Sequence, residues 1–401
     1  MKNRLFGAIL LIAGTATGAA MLALPVSTGR AGLIPSLCAM AFVWVYLLYA
    51  ALCTLEVAVS LPKDSNLVTM AEHTLGRWGK LISGISYLFL LYALNTAYIA
   101  GTTALFQDLF EDVTGVRFAQ VVCAIPLLIV FSLLLRRGVK AVDAINRIFM
   151  FGLILSFGLL LAVSLPHVQL HNLAEARWQY VLPSLSIVLT AFGYHVVIPS
   201  LASYLHDDIK KLEKAIWIGS ALPFIGYAVW QVATLGIVPL TGAMSIETAY
   251  EQGMSGAEVL AEISHNNWIA GVDTLFAFFA IITSFLGVSM SLLDFLADGL
   301  KKKAIFQYKW LLASIAFLPP LYFACVYKRA FLTALEYAGA YGVVILLAII
   351  PALMTWRKRY SLNLAGDQIA PGGKSALVVF IAISLCFILL ETCFKLGVLH
   401  G

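Results

Sequence analysis

Apolar stretches of bilayer length recur from one end of this chain to the other. Bounded by charge, Gly and Pro, they fall at residues 6–29, 31–60, 80–107, 119–135, 146–165, 181–205, 214–239, 267–297, 309–327, 331–356 and 375–398. A helix needs about 20 residues to cross the hydrocarbon, and so many runs of that length exceed what one soluble core can bury. Composition points the same way. Of 401 residues, 61% are hydrophobic and 12% charged, against about 25% charged in an average soluble domain. The expected fold class is an all-α polytopic membrane protein with about 11 transmembrane helices. The basic start MKNR before an apolar run imitates a secretory signal, but the later runs make it a first crossing.

Charge sets the expected orientation. With the N-terminus inside, 20 of the 26 Lys and Arg fall on the inner side and six on the other. Positive charge is retained in the cytoplasm, so the N-terminus is expected there and the C-terminus on the periplasmic side. The acidic loops 108–118 and 247–265 then face outward. Near the span ends, Glu336, Asp294 and Asp298 read as interface charges, Asp298 pairing with the Lys301–Lys303 run.

The six cysteines lie in apolar stretches without metal-site spacing. They read as small buried hydrophobes, so no metal and no cofactor is expected. No HExxH, no GxSxG and no Cys/His nucleophile pair is present, which leaves a membrane-embedded enzyme a remote alternative. A channel is equally remote, since rings of like charge and a filter motif are missing. Membrane lipid is a partner; nucleic acid is not.

Two crossings carry residues that weaken helices. Residues 13–25, AGTATGAAMLALP, place Gly14, Thr15, Thr17, Gly18 and Pro25 within the first. Residues 189–201, LTAFGYHVVIPSL, place Thr190, Gly193 and Pro199 within the sixth. The Gly14–Gly18 spacing by itself also fits close helix packing. Five crossings separate the pair, so the second enters the membrane from the opposite side. Interrupted helices at matching positions of two inverted halves point to a transport site at the midplane. Non-helical backbone survives at that depth only inside protein or beside a wet cavity. A half-helix N-terminus suits a carboxylate, and a half-helix C-terminus suits an ammonium or a cation. One unwound pair can thus hold both ends of a zwitterionic amino acid.

These segments resemble a known family. GTATGAAMLALP (14–25) is similar to the first-span signature of the hydroxy/aromatic amino acid permeases, and TAFGYHVVIPSL (190–201) to their sixth-span segment. LEVAVSLP (55–62), YALNTAYIAG (92–101), DAINRIFMF (143–151), WQVATLG (230–236), TSFLGVSMSLLDFLAD (283–298) and FLPPLYFACVYKRAFLTALEYAG (317–339) follow in family order. The resemblance implies the LeuT-type fold of the APC superfamily. Broken helices 1 and 6 head a 5+5 inverted repeat, here 1–166 and 180–356, with an extra span at 375–398. It implies proton symport with alternating access across the bacterial inner membrane. The motifs look most like those of the family's tyrosine carriers, which implies import of L-tyrosine. Tryptophan or phenylalanine, and sodium in place of the proton, are the alternatives. Two departures stand out: Ala20 where the family usually has Gly, and Leu153 where many relatives carry a lysine.

The resemblance also places the substrate site. Backbone at Ala16, Thr17, Gly18, Ala19 and Ala20 is expected to face Phe192, Gly193 and Tyr194, with Asn95 and Tyr98 supplying polar contact. Phe192 and Tyr194 would wall an aromatic slot, or simply pack their helices. For ion coupling the candidates are His195, whose ordinary pKa lies near physiological pH, and Glu56, an ionisable group within a span. The alternatives are a neutral histidine holding a carbonyl and a glutamate in an interface pair. Thr283 and Ser284 neighbour the first-span break in the LeuT-type fold and are the sodium candidates, unless both merely bond their own helix.

Overall fold

The computed structural model describes residues 2–62, 65–137, 139–206, 208–263, 267–299, 309–362, 364 and 366–399. The described residues are helical, with no strand among them. In chain order the helices are α1 (Lys2–Ala16), α2 (Ala20–Gly29), α3 (Leu33–Ala58), α4 (Leu67–Thr114), α5 (Gln120–Arg137), α6 (Val139–Ser164), α7 (Val181–Ala191), α8 (Ile198–Tyr204) and α9 (Ile209–Ile237). Then come α10 (Ile246–Gln252), α11 (Gly256–Ile263), α12 (Asn267–Gly299), α13 (Lys309–Val326), α14 (Ala330–Tyr337), α15 (Ile350–Tyr360) and α16 (Lys374–Lys395). A π-helical stretch, Ala338–Ile349, joins α14 to α15.

Eight of the described helices are long and apolar enough to span a bilayer, and the bent pair α1–α2 adds a ninth. The expected crossings at 119–135 and 309–327 coincide with α5 and α13, whose apolar stretches Gln120–Ile129 and Leu311–Val326 are shorter. The lipid-facing surface is plain on α6, where Ile148, Phe151 and Ile154 are about two-thirds exposed at helical spacing. Such a stripe is untenable in water and ordinary in hydrocarbon.

Two elements differ from the expectation. The third crossing begins well before residue 80. Its helix α4 starts at a capping box, Asn66 Oδ1 accepting from Thr69 N at 2.9 Å and Asn66 N donating to Thr69 Oγ1 at 2.8 Å. It then bends at Gly76, whose φ of +76° is cheap only for glycine. The tenth crossing widens into a π-helix where Gly339 meets the sixth. A Cβ at Gly339 would stand 1.8 Å from Ser186 O, and Thr190 Oγ1 donates across the gap to Leu335 O at 2.7 Å.

Cross-chain contacts sort the helix ends onto two faces. On the basic face, Arg4 bonds His206, and Glu56 accepts from Arg359, Ile369 and Ala370. On the acidic face, the Arg30 guanidinium lies 4.2 Å from the Tyr180 ring and 4.3 Å from Tyr250. There Lys395 also pairs with Glu336. The helix α16 leans on both broken-span neighbours. Tyr46 of α3 shares a 2.7 Å hydrogen bond with Ser384 and stacks on Phe380, and Ser186 of α7 donates to Glu391 at 2.6 Å. The Lys301–Lys303 run lies outside the described residues, while Asp294 and Asp298 are exposed.

Candidate functional site

The first crossing breaks over residues 17–19, and its halves meet at 56°. Ordinary i→i−4 bonding ends at Thr17 N, which donates to Ala13 O at 2.8 Å. Beyond it the chain tightens to shorter turns, Met21 N to Gly18 O and Leu22 N to Ala19 O, each 3.0 Å. Backbone groups leave the ladder in between. Ala19 N–H donates to Ser284 Oγ of α12 at 2.9 Å. Gly18 faces the same hydroxyl, and a Cβ there would stand 2.6 Å from Ser284 Oγ.

The sixth crossing breaks over residues 192–194. After α7, Gly193 N donates to Thr190 O at 3.2 Å and Tyr194 N to Phe192 O at 3.1 Å. A 3₁₀ turn, His195–Val197, leads into α8 with Pro199 in its first turn, where a missing N–H costs nothing.

One side chain ties the two breaks together. The Tyr227 hydroxyl of α9 lies 2.6 Å from Ala16 O and 3.0 Å from Ala191 O, sharing its proton between the last carbonyls of α1 and α7. One turn on, Trp230 Nε1 donates to Met21 O at 3.2 Å, and Gln231 bonds Thr28. Neither Tyr227 nor Trp230 was singled out from the sequence. The available signal was spacing, since Tyr227, Trp230, Gln231 and Thr234 share one buried stripe of an apolar helix.

The other sequence candidates distribute around this junction. Phe192 packs edge-on against Tyr227, 5.2 Å between centroids. Tyr98 is buried on α4 beside Ser284 and Tyr227. Both amide atoms of Asn95 are engaged: Nδ2 donates to Leu91 O at 2.9 Å and Oδ1 accepts from Ser289 at 2.6 Å, joining α4 to α12. Tyr194 packs into a second apolar cluster with Ile12, Leu48 and Ile216, stacked 4.8 Å from His195. His195 is fully buried, its Nε2 2.8 Å from Leu47 O of α3. Thr283 donates to Phe279 O at 2.7 Å and Ser284 to Ala280 O at 2.8 Å, so both hydroxyls bond their own helix while Ser284 also accepts from the break. Glu56 lies far from the junction. Its carboxylate is fully buried and takes five donors: Arg359 Nε at 2.7 Å and Nη2 at 2.5 Å, Lys358 at 3.3 Å, and the N–H groups of Ile369 and Ala370 at 2.9 and 3.0 Å.

A cavity approaches the breaks from each face. On the acidic face a space of about 340 Å³ is lined by Ala104, Asp108, Glu258, Ile281 and Phe331, among others. Its floor is shut one turn short of Tyr98 and Ser284. A Cβ on Gly101 would touch Ile281 Cδ1 at 3.0 Å and Phe331 at 3.2 Å. On the basic face about 240 Å³ opens between Val196, just past the sixth-span break, and Tyr87, Ser291, Asp294 and Asp298. Every residue of α2 is buried, whereas Thr17, Gly18, Gly193 and Val196 keep part of their exposure. The basic-face cavity reaches Val196 beside the sixth-span break, and the acidic-face cavity stops at Gly101.

Known proteins share this chain's pattern. A family model described as the tryptophan/tyrosine permease family matches residues 1–390. A protein of Haemophilus influenzae named tyrosine-specific transport system 2 is 34% identical over all of this chain and 98% of its own length. A tryptophan-specific transport protein of Pseudomonas aeruginosa is 29% identical over 94% of this chain and 92% of its own. Among solved structures, a mutant form of a manganese transporter from Eremococcus coleocola matches with a TM-score of 0.65 at 12% identity, covering 96% of this chain and 84% of that one. At that identity the likeness is one of fold.

Proposed function

The chain belongs to the tryptophan/tyrosine permease family, and from that premise we propose that it imports an aromatic amino acid, L-tyrosine first, by proton symport with alternating access. The basic face is cytoplasmic, the acidic face periplasmic, and the membrane is the bacterial inner membrane. The observation that carries the reading is the Tyr227 bridge between two broken crossings, with one cavity closed above it and one open below.

The substrate's charged ends meet main chain. Its carboxylate faces the N–H groups of Gly18 and Ala20 at the entry to α2, beside the Ala19 N–H held by Ser284, where the helix dipole is positive. Its ammonium faces the carbonyl ends of α1 and α7, at Ala16 and near Phe192 and Gly193. The ring lies against Phe192 and Tyr98. Ala20 narrows the approach by one methyl relative to the family's usual glycine. The halves 1–166 and 180–356 rock about this junction, with 375–398 outside the repeat. Leu153 is buried on α6 and carries no proton, so His195 and Glu56 are the coupling groups to test. Sodium on Ser284 and Thr283 is the second reading, favoured by the contact of Ser284 with the first-span break. One proton entering down 100 mV releases about 2.3 kcal/mol, enough for roughly forty-fold accumulation.

The test is uptake of labelled tyrosine into proteoliposomes under an inward proton gradient. Tryptophan and phenylalanine serve as competitors, with sodium present or absent. Saturable, proton-driven uptake is expected. No tyrosine counterflow under any ion condition refutes the substrate assignment.

A further inference from the structure

The acidic-face cavity has a second property. Its wall carries Asp108, Glu258 and Glu262 together with Arg117 and Lys328. Asp273 heads the stripe of α12 that runs into the cavity as Ala277 and Ile281. It is wholly buried, and neither of its carboxylate oxygens meets a hydrogen-bond partner among the described residues. Among the described residues the charge acting on it is another acid, Glu258 of α11, the helix packed against α12. An ionised carboxylate taken out of water without a partner is among the costliest arrangements in a protein. A second carboxylate beside it adds repulsion. A proton on either acid removes the repulsion, and with it one of the two buried charges.

We propose that Glu258 and Asp273 form a proton-binding latch: a proton drawn from the periplasmic cavity lets the pair close together and holds the outer entrance shut. The inference rests on the alternating-access reading and adds a site that the substrate junction does not contain. Glu258 rides on α11, a short helix wedged between α12 and the outer half of the first crossing. Where α11 begins, a Cβ on Gly256 would stand 2.9 Å from Pro25 Cγ and 3.0 Å from Leu22 O. Opening the vestibule lifts this wedge and wets both acids.

The neighbours of Glu258 fix the sign. Asp108 of α4 and Glu262 of α11 act on it as like charges, and it acts so on Asp273 of α12. Against α11, α2 is uncharged, α9 carries its charges at the far end, and α10 carries Glu251 and Glu247, the latter paired with Arg177. Arg117 is paired with Glu111 at 3.1 Å. Opposing the acids, Ser255 N–H donates to Glu258 at 2.6 Å. Burial dominates and pushes the Glu258 carboxyl up to about 7. The closed form therefore binds more protons than the open one. Closure is unpenalised below the ordinary carboxylate range, weakens as pH rises toward 7, and levels off above it. The proton is taken from and returned to the outer solution, so the latch sets when the entrance closes without adding to the transported charge.

Two measurements test it on the full-length protein. A single cysteine at Ala104, which lines the cavity, in a background lacking the native cysteines, reports opening by maleimide labelling. The wild type should label faster as external pH rises, by up to roughly tenfold per pH unit between about 5 and 7. The double variant Asp273→Asn/Glu258→Gln should give slow labelling that no longer follows pH, and each single variant a weakened response. Infrared difference spectra should show a protonated-carboxyl band in the wild type at pH 6 that the double variant lacks; this readout holds even if that variant transports nothing. Double-variant labelling that tracks the wild type, or a band that persists unchanged in the double variant, overturns the latch. Labelling that responds to added tyrosine but not to pH overturns the latch alone. Labelling blind to both also sinks alternating access.

Discussion

The closest approach at the first-span break gives the sharpest test of the site. Gly18 does not occupy the left-handed region, so its backbone accepts alanine. What forbids a methyl is space. A Cβ there stands 2.6 Å from Ser284 Oγ but 3.7 Å from Ser284 Cβ, so the hydroxyl oxygen alone makes the clash. Gly18→Ala should cost about 1–3 kcal/mol, the usual range for overpacking. Displacing Ser284 would also release Ala19 N–H from its 2.9 Å bond. Ser284→Ala alone removes that bond, worth about 1 kcal/mol. In the double variant the methyl meets Cβ at ordinary van der Waals distance. Its cost should therefore fall below the sum of the singles by about 1–2 kcal/mol, within the range for contacting residues. Detergent unfolding of the four proteins measures the cycle. Tyrosine uptake should follow it, lost in Gly18→Ala and partly recovered in the double variant. Additive costs within about 0.5 kcal/mol would show that the two groups do not touch and that the break is arranged differently.

Tyr227→Phe removes the hydroxyl shared by Ala16 O and Ala191 O; stability should drop by about 1–3 kcal/mol with a parallel loss of uptake, and an unchanged protein would deny the bridge. Gly193→Leu directs bulk at Val343 and Leu347, 3.6 and 3.7 Å from a Cβ, and should abolish uptake while the protein still elutes as a folded monodisperse peak; normal uptake would move the site elsewhere. Glu56→Gln leaves Lys358 and Arg359, 2% and 8% exposed, without their carboxylate. It should destabilise by about 3–5 kcal/mol; proton-driven uptake that survives in the folded fraction would remove Glu56 from the coupling candidates.

The breaks were legible because Gly, Thr and Pro inside an apolar run contradict the helix that lipid demands, and only function reconciles the two. The residues that organise them were not. Tyr227 and Trp230 each carry one polar atom on a large apolar body, which reads as packing until a free carbonyl is seen opposite. Glu56 stood out as a charge within a span, yet its five donors come largely from residues some 300 positions away, a closure no local pattern announces. Asp273 lies near one end of its span, where a sequence reads charge as cheap, and only the packing of α11 on α12 brings Glu258 near it. The π-helix at 338–349 answers a close approach by the sixth crossing, and such widening has no sequence period of its own.

The C-terminal helix α16 is fastened at both ends and in its middle. Ser384 and Phe380 hold Tyr46 of α3, Glu391 holds Ser186 of α7, and the segment before it caps Glu56. The helix also meets the tenth crossing, where Tyr341 and Thr392 share a 2.9 Å hydrogen bond. A chain cut after residue 374 keeps the cap on Glu56 and loses the ties to Tyr46, Ser186 and Tyr341 together.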